Sequence, residues 1–278
     1  MLRCRKGKSE AAQLQRVSLS DAQLQGADLR YAQLQDAYLT RADFRGAQLR
    51  WAELQGANLD GAQLQGADLL HARLEGANLS RADLAGADLR AANLWGADLS
   101  DAQLQGADLQ GAAIWLASFP VDLARQAPAP LGIAHLKLKP PAAHETAELQ
   151  RKLQNNIYDL DQALLGHLWR LNQILQNDGE QWEDADRWSE YVGQAKDPSS
   201  DETVEFLTDL ACGDSLGHIA NNMALRAKYL TTGLGVGRDY AKPLAQALLN
   251  ENCKGAKALS HETRAMLENL VSETEGGN

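Results

Sequence analysis

The stretch Ala57-Asn58-Leu59-Asp60-Gly61-Ala62-Gln63-Leu64-Gln65-Gly66-Ala67-Asp68-Leu69-Leu70-His71 holds three copies of one five-residue pattern. Alanine comes first, a polar residue follows, leucine is third, and two variable positions close the unit. Extended in both directions, the pattern runs without insertion from Ala12 to Leu116. Its centre is Leu at every fifth position from Leu14 to Leu109, with Phe44 the one substitution, and Ile114 closes the series. Alanine stands two residues before every centre except one, where Val17 replaces it, through 21 consecutive pentads. Self-similarity of this kind is the first property to read, because it decides the architecture.

A period of five suits neither regular element. On an α-helix five residues advance about 500°, so the leucines would spiral round the axis and define no buried face. On a continuous strand an odd step places successive leucines on opposite faces. Alanine and leucine within one unit are two apart, hence on the same face of a short extended piece. Both facts hold if each unit is one short side followed by a corner that restores the parity. The chain then coils with Ala and Leu inward and the other three positions outward.

Ala27-Asp28-Leu29-Arg30, Ala57-Asn58-Leu59-Asp60-Gly61 and Ala97-Asp98-Leu99-Ser100-Asp101 resemble the A(D/N)LxG unit of pentapeptide-repeat proteins. The resemblance covers residues 12–116 and implies a right-handed, quadrilateral parallel β-helix with four pentads per coil. Gln23, Gln33, Gln48, Gln63 and Gln103 depart from the usual Asp or Asn, on the outer surface. The expected organisation is a basic tail (1–11), a β-helix (12–118), a cap and Pro-rich linker (119–143) and an α-helical domain (144–278).

Coils 20 residues apart stack into columns. The expected core includes Leu24, Leu29, Leu34, Phe44, Leu54, Leu64, Leu74, Leu84, Leu94, Leu104 and Ile114. Gly26, Gly46, Gly66, Gly86 and Gly106 form one corner column, where glycine fits unusual dihedrals or a lack of room. Tyr31, Trp51 and His71 form an outward aromatic ladder, read mainly as a stacked column and alternatively as an interaction platform. Arg30, Arg50 and Arg90 lie beside it, opposite Asp28, Asp68, Asp88 and Asp108. A solenoid exposes unpaired edges at its ends and needs caps. Trp115 and Phe119, in a suddenly aromatic stretch after Ile114, are the cap candidates.

Net charge is −10, which opposes direct binding to a nucleic-acid backbone. Three scattered cysteines, Cys4, Cys212 and Cys253, suggest free thiols in a reducing, cytoplasmic setting. No apolar run approaches the roughly 20 residues of a membrane span, and the basic start lacks the apolar segment of a secretory signal.

Ala127-Pro128-Ala129-Pro130 and Lys139-Pro140-Pro141 bracket a connector. Beyond it the period turns helical, with Leu149, Leu153, Ile157, Leu160, Leu164, Leu168, Leu171 and Leu175 predicting a helix over 145–175. Further helices are predicted at 181–195, 201–212, 216–231, 239–252 and 257–273. Trp169, Trp182 and Trp188 read as anchors of that bundle, and Glu183-Asp184-Ala185-Asp186 as a solvated face. Gly213-Asp214-Ser215-Leu216 matches the letters of a GDSL-type hydrolase block, but no Asp precedes His218 or His261 by three residues. Asp214 or Ser215 as a helix N-cap is the better reading.

These features point to a non-enzymatic bacterial scaffold that binds an unknown protein partner through the solenoid surface and the helical domain. No catalytic residue, cofactor or metal is expected, and self-association is left open. The alternative, implied by the resemblance, is a DNA mimic that binds a type II topoisomerase such as DNA gyrase. Residues 12–116 carry 13 acidic and 8 basic side chains, a mild excess for such a role.

Overall fold

The computed structural model describes residues 12–120, 122–139, 184–194, 196, 198–214, 216–231 and 240–272. The predicted helix at 145–175, the basic tail, Trp169 and Trp182 lie outside them.

Residues 12–118 coil as a parallel solenoid. The polar residue between Ala and Leu forms a parallel bridge to its counterpart 20 residues on, as in Asp68↔Asp88 and Asp88↔Asp108, so four pentads make one coil. Each side therefore contributes one bridging residue and no longer strand. The Leu N–H reaches the next coil, as in Leu64 N–H to Asp83 O at 2.7 Å. The Leu carbonyl accepts from the Ala N–H three residues on, as in Ala67 N–H to Leu64 O at 2.9 Å, which closes a β-turn at every corner. The second central residue of each turn has positive φ in all 21 pentads, from 53° at Ala91 to 69° at Gly111. That is the requirement of a type II turn, which favours glycine. Eleven of the 21 positions are not glycine, Tyr31, Trp51 and His71 among them.

From Leu29 to Ile114 the Leu, Phe and Ala positions are buried. Leu24 is only half-buried with Leu14, Val17 and Leu19, because no described residue lies beneath the first coil. Outward residues tie coils together by side-chain bonds that span 18 residues. Gln65 donates to Asp83 at 2.6 Å, and Gln25 to Asp43 and Gln35 to Glu53 follow the same rule.

The far end is closed by the chain that follows. Leu131 and Lys137 bridge to Asp108 and Ala113 and supply part of a further coil. The Gln126 side chain completes another side, donating to Ala102 O at 2.9 Å and accepting from Leu104 N–H at 2.6 Å. Phe119 and Trp115 are both buried here.

Five α-helices follow among the described residues. They are α1 (Ala185–Gln194), α2 (Ser200–Gly213), α3 (His218–Thr231), α4 (Ala241–Leu248) and α5 (His261–Ser272). Ser199 begins α2 with a capping box to Glu202. Asp214 serves α3, its carboxylate accepting from the N–H groups of Leu216 at 3.1 Å and Ile219 at 2.9 Å.

Three expectations change. Trp188 belongs to the solenoid cap, not to a separate bundle. Its ring meets Phe119 edge-on at 4.7 Å and its indole N–H donates to Ala117 O at 3.1 Å. Asp184 is not a solvated residue, since it accepts from Phe119 N–H at 2.8 Å and pairs with Arg187. Cys212 and Cys253 are joined in a disulfide with a Cα–Cα distance of 4.6 Å, so they are not free thiols. Forty-one residues separate the two in sequence, and only the return of the chain after α4 brings them together. The argument for a reducing compartment loses its basis with them.

Candidate functional site

Two neighbouring columns of the solenoid have opposite fates. The glycine corner is covered by α2 and α3. A β-carbon on Gly46 would stand 2.4 Å from the His218 carbonyl carbon, and one on Gly66 would stand 2.6 Å from Ile219 Cγ2. At Gly86 and Gly106 the neighbours are Leu210 and Phe206 of α2, at 2.6 and 2.7 Å. Glycine at these corners therefore does two things: it adopts positive φ and lets a helix approach the backbone.

Between the apolar contacts, α3 places two polar side chains one turn apart. Asn222 Nδ2 donates to the carbonyls of Gly46 at 2.9 Å, Ala47 at 3.0 Å and Gly66 at 3.3 Å. Arg226 donates to Gly86 O at 3.1 Å, to Asp108 at 3.4 Å and to the Tyr240 hydroxyl at 3.1 Å. Together they contact backbone on successive coils. Asn222 and Arg226 were not singled out in the sequence. The available signal was a pair of polar residues four apart on the same face as Ile219 and Met223.

The acidic column beside this corner is therefore not solvent surface. Asp68, Asp88 and Asp108 are 4%, 4% and 3% exposed. Arg50 pairs with Asp68, Arg90 donates to Asp88 through Nε at 2.8 Å, and Arg226 reaches Asp108. Burial, and then the charge of Asp88, push the Asp68 carboxyl up to about 6. Burial also raises Asp108 against the opposing pull of Arg226. Burial acts upward on Asp88 as well, but the hydrogen bonds from Arg90 bring it below its ordinary value. Burial pushes the Tyr240 hydroxyl up to about 12.

Arg90 corrects the sequence reading directly. Expected on an interaction surface, it is buried under the helices and held by Asp88. Arg50 is mostly covered as well, whereas Arg30 is open and bidentate on Asp28. Asp68, Asp88 and Asp108 likewise cannot form the open acidic stripe of a DNA mimic.

The aromatic ladder is open. Tyr31 and Trp51 are 51% and 47% exposed. Trp51 and half-buried His71 stack face to face, with ring centroids 4.0 Å apart and planes 16° from parallel. Burial moves the His71 pKa below its usual value. No group of three or more His, Cys, Asp or Glu among the described residues is arranged to hold a metal. No helix among them is long and apolar enough to cross a membrane.

The family description "Pentapeptide repeats" matches residues 10–46, 42–81 and 82–114, in 8 copies. The repeat region belongs to the pentapeptide-repeat family. Its right-handed β-helix is the four-pentad coil described above. Among similar solved structures is the pentapeptide-repeat protein Rfr23 from the cyanobacterium Cyanothece 51142. It is 31% identical over 41% of this chain and 60% of that one, with a TM-score of 0.28. HetL of Nostoc sp. strain PCC 7120, a pentapeptide-repeat protein involved in heterocyst differentiation regulation, is 30% identical. The match covers 47% of this chain and 67% of that one, with a TM-score of 0.23. QnrB1, a plasmid-mediated fluoroquinolone resistance protein, is 17% identical over 50% of this chain and 71% of that one, with a TM-score of 0.27. The chain thus spans 60% of the length of Rfr23. No curated protein matches it.

Proposed function

We propose that this pentapeptide-repeat protein is a non-enzymatic scaffold that binds a protein partner through the uncovered aromatic corner of its solenoid. The observation that carries this reading is the exposure of Tyr31 and Trp51 at positions with φ of 62° and 59°. A bulky residue in the left-handed region costs about 1–2 kcal/mol, and apart from the stack of Trp51 on His71 none of the described helices covers the rings to offset it. Tryptophan, tyrosine and arginine are the residues that concentrate binding energy at protein interfaces, and Arg30 flanks the ladder. The helices play the complementary part: they cover the glycine corner and leave the neighbouring aromatic corner accessible.

The test uses a photo-crosslinking amino acid at position 51, with position 101 on a distant exposed corner as the control. A specific adduct from position 51, weakened when Tyr31 is changed to Ala, is expected. Adducts of equal yield from both positions would remove the aromatic corner from consideration. A DNA-mimicking role would need an acidic face other than the Asp68–Asp88–Asp108 column. Inhibition of gyrase supercoiling that neutral variants of exposed acidic residues relieve would favour that alternative.

A further inference from the structure

Where α3 crosses the coils it leaves a small pocket lined by residues that include Gly66, Asp68, Gly86, Asp88, Asn222 and Arg226. It is about the size of one water molecule. Two of its lining residues each carry a buried polar atom without a hydrogen-bond partner: the acceptor Asn222 Oδ1 and the donor Arg226 Nε. Both side chains are almost fully enclosed, at 5% and 2% exposure. The amide orientation of Asn222 is not arbitrary. Its Nδ2 faces three carbonyls, of Gly46, Ala47 and Gly66, and a flipped amide would turn an oxygen onto all three. Oδ1 is therefore an acceptor in need of a donor. Arg226 Nε needs the reverse, because its terminal nitrogens are already held by Gly86, Asp108 and Tyr240.

The geometry points to a single internal water bound between the solenoid and α3. It accepts from Arg226 Nε–H, donates one proton to Asn222 Oδ1, and donates the other to the carboxylate of Asp68 or Asp88. Three hydrogen bonds are typical of a buried water, and either polar atom left unpaired would lose its solvation with nothing to replace it. The charges identify water over an ion. Asp68, Asp88 and Asp108 are matched by Arg50, Arg90 and Arg226, so the pocket is already balanced with those groups ionised. A bound cation or anion would leave a net charge buried. The site would link α3 to the stacked carboxylates of two coils through a group that can rearrange its bonds, which no direct side-chain pair here can do.

The test is a high-resolution crystal structure of the full chain, with parallel soaks in rubidium and bromide salts. One density peak within about 2.7–3.2 Å of both Arg226 Nε and Asn222 Oδ1 is expected, with no anomalous signal from either soak. An ion signal at the peak would overturn the assignment. So would a site without a peak in which Arg226 Nε bonds a protein oxygen. In solution, a cross-relaxation peak between water and the Arg226 Nε proton should be present, and Asn222→Leu should abolish it. Persistence of that peak in a variant whose α3 amides retain their hydrogen-exchange protection would refute the role of Asn222.

Discussion

Replacing Gly46 with alanine tests how the two halves of this protein meet. Alanine at a φ of +62° costs about 1–2 kcal/mol wherever it is placed. At Gly61, with a φ of +63°, this is nearly the whole cost, because the nearest atom to the new β-carbon is Arg41 Cγ at 3.5 Å. Gly46→Ala adds steric conflict with the backbone of α3, since Ile219 N stands 2.6 Å and His218 O 2.7 Å from the new atom. No side-chain rotation can relieve a clash with backbone. The helix must lift by about 1 Å, an overpacking cost of about 1–3 kcal/mol. Lifting also stretches the Asn222 bonds to Gly46 O and Ala47 O, each worth about 1 kcal/mol.

Gly46→Ala should therefore destabilise by at least about 2 kcal/mol more than Gly61→Ala. Urea unfolding of both variants measures the difference. Hydrogen exchange then locates it, with protection lost over α3 in Gly46→Ala and retained in Gly61→Ala. Gly111→Ala, with a φ of +69° and nothing within 4 Å of the new atom, is a second control. Equal costs at positions 46 and 61, with unchanged exchange in α3, would refute the placement of that helix on the glycine corner.

Leu64→Asp would bury an unpaired carboxylate in the solenoid core and should cost several kcal/mol, whereas Gln103→Ala on the exposed surface should be nearly neutral in thermal melts. Gln65→Asp should not be neutral, because Gln65 donates to Asp83 and the substitution sets two carboxylates together. Burial pushes the Asp36 carboxyl up from 3.8 to about 6, with Arg16 opposing. The folded state thus holds its proton longer than the unfolded chain, and stability falls as pH rises from about 4 to 6. Asp36→Asn, which tolerates the same left-handed corner, should gain on the parent through that window, by at most about 3 kcal/mol, and match it below pH 4; a constant difference across the window would refute the assignment. Thiol titration of the unfolded, unreduced chain should find one free cysteine of three, Cys4, and reduction should destabilise the helical half by about 2–4 kcal/mol. Three titrating thiols would exclude the disulfide.

The pentad alone determined the coil. A five-residue period with Ala and Leu two apart admits one inward face, and the interval of 20 between columns follows once four units close a turn. The bounds of α2 to α5 were also close to legible, because local signals such as Ser199 with Glu202 act over one turn of helix. The use made of the outward columns was not legible. Asp68, Asp88 and Arg90 have the composition of a solvated stripe, and only α3, lying more than 100 residues away in sequence, buries them. The same long-range packing turned Trp188 into a cap and brought Cys212 to Cys253. It also left Tyr31 and Trp51 open while covering the glycine corner beside them. Periodicity is local and repeats, so one chain displays it; which face a distant helix covers depends on complementarity between surfaces that exist only after both have folded.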